Sequence, residues 1–421
     1  MKKLSICINT SRNELNHIKL LFKSLETNLS TLEHEIIVFI DSDNEGTFEW
    51  LLTQKSIFPN LKILKNTLPI PYGYQRNINE MFLQASNEIV SYIQSDMVIC
   101  KNYDLEVLKH LEPNMILCST RVEPPLHPSS GEKHTMDFGL DPNHFNLDKF
   151  NEYAESIKQE KITKYFFAPF TLYKNVWNDI GGHDTVFRRS REDSDVLTRL
   201  VLNNTNIIQV WNALVYHFTC TSSRGKNWFD QNNDEAQRRA ELQKMADHIE
   251  MNRFFRKWGK FNHSVDKINN YNISAKITGD NYQIFKAVEP FFRTIEVDNI
   301  LKENFLTDYE SSHDIANVLF YLSKDDWDKY SYMFNQEHLE SKFVTNVNDD
   351  IIIEFDLSNI NQNNFQDFII QLQDIVSTIE EPGEYEYDIF KIKVNKIDNV
   401  ADSKIVITNP TIKEQDMYQI Y

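Results

Sequence analysis

The first hundred or so residues alternate short apolar runs with amphipathic segments, and this alternation restricts the fold more than any other feature. Apolar runs predict strands at residues 4–8, 35–40, 61–64 and 88–93, and apolar residues at helical spacing predict helices at 13–27, 47–54 and 74–85. Such alternation is typical of a mostly parallel sheet, so we predict an α/β fold. Ligands bind these sheets at the carboxyl ends of strands, where Asp41, Asp43 and Asp96 are expected.

Beyond these strands the pattern is less regular. Residues 121–160 contain four prolines and are predicted to form a long irregular segment. Strands are predicted at 165–172, 207–210 and 213–217, and helices at 191–202 and 234–258, the last ending at Gly259, a natural helix stop. Strand–helix–strand patterns follow at 272–297 and 351–394. We therefore predict two domains, 1–260 and 261–421, the second an acidic α/β or α+β accessory domain of unassigned role.

The charge is strongly negative and unevenly distributed. The chain carries a net charge of −18, but residues 1–260 hold 31 basic and 33 acidic side chains, against 13 and 29 in residues 261–421. This balance argues against nucleic acid as a partner, because nucleic-acid binding needs a positive surface. Peripheral contact with a membrane through the basic 236–260 segment stays open, and the oligomeric state is not indicated. No apolar run is long enough for a membrane span or a signal peptide, so a cytoplasmic location is expected.

Glycine and cysteine usage excludes several classes of site. The chain has 10 glycines, and their spacing fits neither a P-loop nor the dinucleotide-binding fingerprint. Any nucleotide must therefore be held by side chains and strand ends. Cys7, Cys100, Cys118 and Cys220 form no C-x-x-C pair, so a zinc ribbon or a thioredoxin motif is absent from the sequence. We interpret the cysteines as buried free thiols of a reducing compartment.

Four motifs follow one another in residues 1–260, and a fifth segment, 253–259, closes the set. The motifs are the first strand and turn at 5–10, Asp41-Ser42-Asp43, Gln94-Ser95-Asp96, and Gly181-Gly182-His183-Asp184 followed by Arg191-Glu192-Asp193. This ordered set resembles the inverting glycosyltransferases of the large family-2 type, which have the Rossmann-like GT-A fold of nucleotide-diphospho-sugar transferases. The resemblance covers about 260 of the 421 residues. It implies transfer of a sugar from a nucleotide-sugar donor, most commonly a UDP-sugar in this family, to a hydroxyl of a glycan, a lipid-linked or a protein acceptor, as in polysaccharide biosynthesis.

The resemblance also assigns a donor site. The residues it implies for donor binding are Thr10, Arg12, Asp41, Asp43, Arg76, Gln94, Ser95, Asp96, Arg224 and Lys226. Asp41 is expected at the base or ribose, and Arg76, near a helix N-terminus, suits a phosphate. Other interpretations stay open: 41–44 is also a good turn and helix-capping sequence, and the three basic side chains could be ordinary surface charges.

A divalent metal, Mn²⁺ or Mg²⁺, would stabilise the charge on the leaving diphosphate. The resemblance implies Asp96 and His217 as its ligands, and both oxygen and imidazole donors suit these ions. The chain departs from the family at Gln94, where the family has the first aspartate of its D-x-D motif. An amide can still hydrogen-bond a hydroxyl, but the substitution leaves the strength of metal binding open. His217 could instead be a core or helix-capping histidine.

Inversion at the anomeric carbon needs a base that removes the proton of the acceptor hydroxyl. Asp193 is expected in this role, with Glu192 positioning the acceptor or the sugar. The alternative is that these acids only favour the start of a helix. His183, Asp184 and Trp211 are expected at the acceptor.

Two other function classes explain less of the sequence. A sugar nucleotidyltransferase would need a glycine-rich loop after the first strand, and residues 9–13 contain no glycine. A non-catalytic binder of glycans or nucleotide sugars would explain Gln94, although Glu192, Asp193 and His217 argue for an enzyme.

Overall fold

The computed structural model describes residues 2–126, 130–188, 190–219, 234–258, 272–311, 325, 329, 339–361, 363–378, 381–396 and 418–421. The chain forms two compact units. The first consists of residues 1–188, 196–241 and 411–421, and the second of residues 189–195 and 242–410. Each unit contains its own sheet with helices, so the predicted α/β class is confirmed. The domain boundary near residue 260 stays a prediction.

Strands and helices alternate through the first 258 residues. The strands are β1 (Leu4–Thr10), β2 (Glu35–Ile40), β3 (Leu61–Asn66), β4 (Ile89–Gln94), β5 (Met97–Ile99), β6 (Met115–Glu123), β7 (Lys133–Thr135), β8 (Ile162–Thr163), β9 (Phe170–Tyr173) and β10 (Asn206–His217). The helices are α1 (Leu15–Asn28), α2 (Thr47–Gln54), α3 (Tyr74–Gln84), α4 (Tyr103–His110), α5 (Leu147–Ile157), α6 (Lys174–Asp179), α7 (Glu192–Leu202) and α8 (Asp234–Trp258).

The rest of the described chain contains a second set of elements. The strands are β11 (Ile273–Thr278), β12 (Thr294–Glu296), β13 (Ile351–Asp356), β14 (Gly383–Tyr387), β15 (Phe390–Val394) and β16 (Tyr418–Ile420). The helices are α9 (Tyr282–Val288), α10 (Asn299–Ser311) and α11 (Phe365–Thr378).

The sheet of the first unit has the order β16-β3-β2-β1-β4-β9-β6-β10-β5. Strands β3, β2, β1 and β4 run parallel, and β1 and β2 are almost wholly buried, as expected for parallel strands covered on both faces. The register pairs Thr10 with Ile40 and Asn9 with Gln94. The ends of β1, β2 and β4 therefore lie side by side at one edge of the sheet.

The segment 121–160 is more ordered than the sequence predicts. It contains the end of β6, strand β7, a short 3-10 helix at Pro142–His144 and helix α5. Asn146 caps α5 by accepting a hydrogen bond from the Lys149 N–H at 3.0 Å, and the helix buries Leu147, Phe150 and Ala154. The prediction of an irregular segment is wrong here: the buried residues of α5 do have helical spacing, but the four prolines of the segment favoured a loop. Residues 207–217, predicted as two strands, form one strand with a shift in register between Val210 and Leu214.

The sheet of the second unit has five strands in the order β12-β11-β13-β15-β14. Strands β12, β11 and β13 are parallel, and β15 and β14 form an antiparallel hairpin at one edge. The two strand–helix–strand patterns seen in the sequence thus contribute to a single sheet. Glu289 is fully buried and is compensated by Arg256 and Lys342, because a buried carboxylate needs charged partners.

Strand β16, near the end of the chain, belongs to the first unit and pairs antiparallel with β3, with Tyr418 opposite Asn66. The Tyr418 hydroxyl donates a hydrogen bond to Glu80 Oε2 at 2.9 Å, and its ring lies 5.6 Å from that of Phe39. This pairing covers an edge that β3 would otherwise expose. Nothing in the sequence predicted it.

None of the described helices has the length and apolar composition needed to cross a bilayer. Cys7, Cys100 and Cys118 are buried and free, as predicted, whereas Cys220 lies outside the described residues.

Candidate active site

The structure brings the two predicted metal ligands together in the first unit. Asp96 lies in the turn between β4 and β5, and His217 ends β10, which pairs with β5 so that His217 faces Met97. The distance from His217 Nε2 to Asp96 Oδ2 is 3.7 Å, and the N–H of Phe218 donates to the Asp96 carbonyl at 3.1 Å. Two donors bound to one Mg²⁺-sized ion at about 2.1 Å lie about 3 Å apart at right angles and about 4.2 Å apart when opposite. The observed separation falls within this range.

The side chains beside Asp96 are polar and largely buried. Gln94 is half-buried, and its Oε1 atom has no hydrogen-bond partner among the described residues. Ser95 Oγ donates to Glu14 Oε2 at 2.8 Å, and the Ser11 N–H donates to the same oxygen at 2.8 Å. The pKa of Glu14 is raised to about 7, mainly by burial; the Ser95 hydrogen bond opposes this shift and the charge of Asp96 adds to it. Glu14 was not predicted from the sequence, although a carboxylate four residues after the end of β1 was a usable signal.

These residues fit a divalent ion that takes few protein ligands. Within the described ranges, no three histidine, cysteine or carboxylate side chains converge on a point that could hold a metal. Mg²⁺ and similar ions are commonly held by one or two protein groups, with substrate phosphates and waters completing the shell. Asp96 and His217 offer one oxygen and one nitrogen donor, and the unpaired Gln94 Oε1 lies in the same motif.

Glu123, at the end of β6, is a further residue that the sequence analysis missed. Its Oε1 atom lies 2.8 Å from His217 Nδ1, and its Oε2 atom lies 2.7 Å from Lys133 Nζ. Arg121 Nη1 is 3.6 Å from the same carboxylate. Burial would raise the pKa of Glu123, but His217, Lys133 and Arg121 together hold it well below its usual range. No local pattern marks this residue, since it is 94 positions away from His217.

Asp41 is buried and organises the loop that leads into α3. Its carboxylate accepts hydrogen bonds from the N–H groups of Tyr72 and Gly73, the latter at 3.1 Å. The Asn66 side chain donates to Asp41 Oδ1 at 3.2 Å. Burial raises the pKa of Asp41, while these hydrogen bonds oppose the shift. The carboxylate therefore holds the loop before α3 in place, and its contact with a base or ribose stays a prediction.

The other predicted donor residues that the structure describes differ in their surroundings. Asp43 accepts hydrogen bonds from four N–H groups at the start of α2, so its side chain has the helix-capping role that the sequence left open. Burial alone would raise the pKa of Asp43, but these bonds lower it. Arg76 is buried in α3, and burial lowers its pKa to about 10. Thr10 is buried and Arg12 is exposed. Arg224 and Lys226 lie outside the described residues.

The glycine pair makes a tight turn that requires glycine. Both residues have left-handed backbones, and a Cβ on Gly182 would lie 2.5 Å from Asn79 Oδ1. Asn79 accepts from the His183 N–H at 2.8 Å and donates to the His183 carbonyl at 2.9 Å. The Arg199 side chain donates to the carbonyls of Ile180 and Gly182. The turn is thus fixed from two helices.

The predicted acceptor residues are buried. His183 and Asp184 are each 1% exposed and Trp211 is 5% exposed. Trp211 Nε1 donates to Thr163 Oγ1 at 2.8 Å, and Lys161 Nζ lies 3.9 Å from the centre of the indole ring. Their role toward an acceptor stays a prediction.

Glu192 and Asp193 begin α7 in the second unit. Arg191, just before them, has a left-handed backbone, a conformation that costs a non-glycine residue about 1–3 kcal/mol and is concentrated at functional sites. Asp193 is exposed and Glu192 is buried. Asp195, one turn into the helix, is fully buried; its Oδ1 lies 2.7 Å from Lys257 Nζ and accepts from Trp258 Nε1 at 2.9 Å. Lys257 and Trp258, which belong to the 253–259 segment of the motif set, therefore hold the start of α7 in place.

A separate cavity of about 540 Å³ lies in the first unit between the end of α1 and the start of α5. Polar side chains such as Lys23, Asn28, Lys101 and Asn151 line it. It contains none of the predicted site residues.

No family profile and no curated protein matches the chain. Residues 1–349 of TarS from S. aureus match at 13% identity over 58% of this chain and 79% of that one, with a TM-score of 0.38. The same fragment in complex with UDP-GlcNAc matches at 15% identity over 60% and 72%, with a TM-score of 0.38. The mannosyltransferase PcManGT from Pyrobaculum calidifontis, in complex with GDP-Man and Mn²⁺, matches at 14% identity over 59% and 64%, with a TM-score of 0.37.

These structures have the GT-A glycosyltransferase fold that the sequence motifs resemble, and they match roughly the N-terminal 60% of the chain. At these identities and TM-scores, function has to be argued from the residues of the chain itself.

Proposed function

We propose that this protein is a metal-dependent inverting glycosyltransferase that moves a sugar from a nucleotide-sugar donor, with UDP-sugars as the first candidates, to an acceptor hydroxyl. The observation that carries the proposal is the approach of Asp96 Oδ2 and His217 Nε2 to 3.7 Å at the strand ends that also present Gln94 and Asp41. A carboxylate and an imidazole in this position suit an ion that binds a diphosphate.

In this proposal, different residues bind the metal, hold the loop before α3 and bind the diphosphate. Asp96 and His217 hold Mn²⁺ or Mg²⁺, which when bound neutralises charge on the leaving diphosphate. Asp41 keeps the loop before α3 in place through the N–H groups of Tyr72 and Gly73. Arg76 is a buried cation near the start of α3 that suits a phosphate, and Arg224 and Lys226 are expected to cover the diphosphate.

Asp193 would act as the general base, with Glu192 positioning the acceptor or the sugar. The acceptor oxygen forms a bond to the anomeric carbon while the bond from that carbon to the diphosphate oxygen breaks. The hydroxyl proton passes to the Asp193 carboxylate, which is exposed and therefore accessible to an acceptor. Attack from the face opposite the diphosphate inverts the anomeric centre.

The test is a panel of UDP-, GDP-, CMP- and dTDP-sugars assayed for transfer and hydrolysis with Mn²⁺. Asp193→Asn is expected to lower kcat by about 10²- to 10⁴-fold, the usual contribution of a general base, without changing Mn²⁺ binding. Asp96→Ala is expected to abolish both Mn²⁺ binding and turnover. Asp179→Asn, an exposed aspartate at the end of α6, is the matched control and should behave as wild type.

Absence of turnover and of any metal-dependent thermal shift with the whole panel would contradict the proposal. Metal-dependent binding of a nucleotide sugar without turnover, unchanged in Asp193→Asn, would instead favour the non-catalytic binder. The observation that favours this non-catalytic binder is Gln94, which stands where the family has an aspartate.

A further inference from the structure

We infer that Glu123 is a positioning residue that fixes the ring and the tautomer of His217 so that Nε2 stays available to a divalent metal held with Asp96. The inference rests on the proposed function and adds to it a residue that no sequence motif marks. Glu123 would not touch the metal or the substrate.

The geometry gives the two nitrogens of His217 different surroundings. Nδ1 lies 2.8 Å from Glu123 Oε1, whereas Nε2 faces Asp96 Oδ2 at 3.7 Å, beyond hydrogen-bonding distance. Strands β6 and β10 are neighbours, with Val122 paired to Tyr216, so the backbone places Glu123 beside His217. Among the described residues, the imidazole is therefore hydrogen-bonded at Nδ1, whereas no hydrogen bond engages Nε2.

Two basic side chains, Lys133 and Arg121, lie beside the Glu123 carboxylate. Its side chain is 6% exposed, and Lys133 Nζ lies 2.7 Å from Oε2, so the oxygen that does not face His217 is already paired. Arg121 adds a second positive charge at 3.6 Å. A carboxylate held in this way can only accept a hydrogen bond, so it selects the Nδ1–H form of a neutral imidazole. Nε2 then carries the lone pair that a metal needs, and metal-binding histidines commonly use this arrangement.

A second histidine in the same unit shows a different arrangement. His34 Nε2 lies 3.0 Å from Asp104 Oδ2, and His34 Nδ1 accepts a hydrogen bond from the Leu4 N–H at 3.2 Å. Both nitrogens of His34 are used by the fold. The His34–Asp104 pair is therefore a matched control: it is a buried histidine–carboxylate contact in which neither nitrogen is available to a metal.

The first experiment titrates the full-length protein with Mn²⁺ alone and follows the free-ion signal by electron paramagnetic resonance. In Glu123→Gln, the Lys133 ammonium can only donate hydrogen bonds, so it binds the oxygen of the new amide and not its NH₂ group. The amide NH₂ then faces Nδ1 and forces the proton onto Nε2. We expect Mn²⁺ affinity to fall about 10- to 100-fold, the usual effect of losing such a partner. Asp104→Asn should leave Mn²⁺ affinity unchanged.

Glu123→Gln leaves Lys133 without its carboxylate, so the double variant Glu123→Gln/Lys133→Met is measured as well. It removes both charges, and without Lys133 the amide can turn its oxygen toward the Nδ1–H group, so the loss of Mn²⁺ affinity should be smaller than in Glu123→Gln alone. Circular dichroism melting verifies that each variant folds.

A second measurement reads the tautomers directly by ¹⁵N NMR at about pH 9, where an ordinary histidine is neutral. His217 is expected as the Nδ1–H form and His34 as the Nε2–H form. In Glu123→Gln, His217 should change to the Nε2–H form while His34 does not change.

The outcomes separate the two proposals. If Asp96→Ala and His217→Ala lose Mn²⁺ binding but folded Glu123→Gln binds like wild type, the role of Glu123 is overturned and the proposed function stands. If His217 shows the Nε2–H form in the wild type, the role of Glu123 is also overturned. If the wild type binds no Mn²⁺ and turns over no nucleotide sugar, both proposals fail.

Discussion

Two histidines of the first unit each contact a buried carboxylate, yet they differ at their second nitrogen. His34 is 1% exposed, contacts Asp104 through Nε2 and accepts from the Leu4 N–H through Nδ1. His217 is 12% exposed and contacts Glu123 through Nδ1, while Nε2 faces Asp96. An imidazole has only two nitrogens, so His34 has no remaining capacity for a ligand.

The contrast teaches that a histidine–carboxylate contact is not by itself evidence of a functional site. The informative feature is an open nitrogen directed at a second carboxylate. His34 connects the segment before β2 with β1 and α4, which is a structural role. His217 lies at the strand ends, where α/β sheets bind ligands.

Exchanging the two histidines for alanine gives the largest expected effects and should separate stability from function. His34→Ala removes a hydrogen bond to the buried Asp104 carboxylate, and hydrogen bonds to charged groups contribute about 1.5–3 kcal/mol, so a large drop in Tm is expected with Mn²⁺ affinity unchanged in the folded fraction. His217→Ala should abolish Mn²⁺ binding with a smaller change in Tm. Calorimetry and Mn²⁺ titration check both, and loss of Mn²⁺ binding in folded His34→Ala would break the comparison.

Acidification should remove the contribution of the structural pair. Burial raises the pKa of Asp104, but hydrogen bonds from His34 and Ser30 hold it below its ordinary value of 3.8. A lowered folded-state pKa stabilises the fold above that ordinary value, and the contribution is lost as the pH falls through the folded-state pKa. Urea unfolding should therefore show Asp104→Asn to be less stable than wild type at pH 7, by about 1.5–3 kcal/mol, the usual contribution of a hydrogen bond to a charged group. The difference should shrink below about pH 4; a constant difference down to about pH 2 would contradict this.

Trp258→Phe tests whether a buried carboxylate of the second unit also has a structural role. The change removes the hydrogen bond from Trp258 Nε1 to Asp195 and leaves Lys257 in place. Hydrogen bonds to charged groups contribute about 1.5–3 kcal/mol, so Tm should fall moderately. If Asp195 holds the start of α7 in position for Asp193, kcat should fall while Mn²⁺ affinity does not change. Unchanged Tm and kcat would show that Lys257 alone is sufficient.

Lys133→Met should have the smallest effect. Glu123 keeps its contact with His217 and the charge of Arg121 nearby, so the tautomer of His217 should not change. Loss of this ion pair, whose side chains are 15% and 6% exposed, should lower Tm only modestly because Arg121 and His217 remain beside the carboxylate. The loss of Mn²⁺ affinity should be much smaller than in Glu123→Gln. An equal loss in both variants would mean that Lys133, not the carboxylate, sets the position of His217.

Local sequence patterns were sufficient to predict those helices and strands whose structure is determined by their own residues. The helix at 47–54 has the predicted bounds, and the carboxyl ends of β1, β2 and β4 meet as parallel strands must. The position of Asp96 at that edge followed from the same rule. Helix α5 was missed although its buried residues have helical spacing, because the prolines of the same segment favoured a loop. For Asp43, residues 41–44 supported a helix-capping role and a donor-binding role equally well.

The sequence alone determined the α/β class, the edge at which polar side chains gather and the ordered motifs. Only the tertiary structure decided which distant residues meet. Glu123 contacts His217 across 94 positions because β6 and β10 are neighbours in one register, and Asp195 contacts Trp258 across 63 positions. Such contacts depend on how strands and helices are arranged against one another, and a one-residue shift of a strand would turn its side chains to the other face of the sheet. No local run of residues records that arrangement.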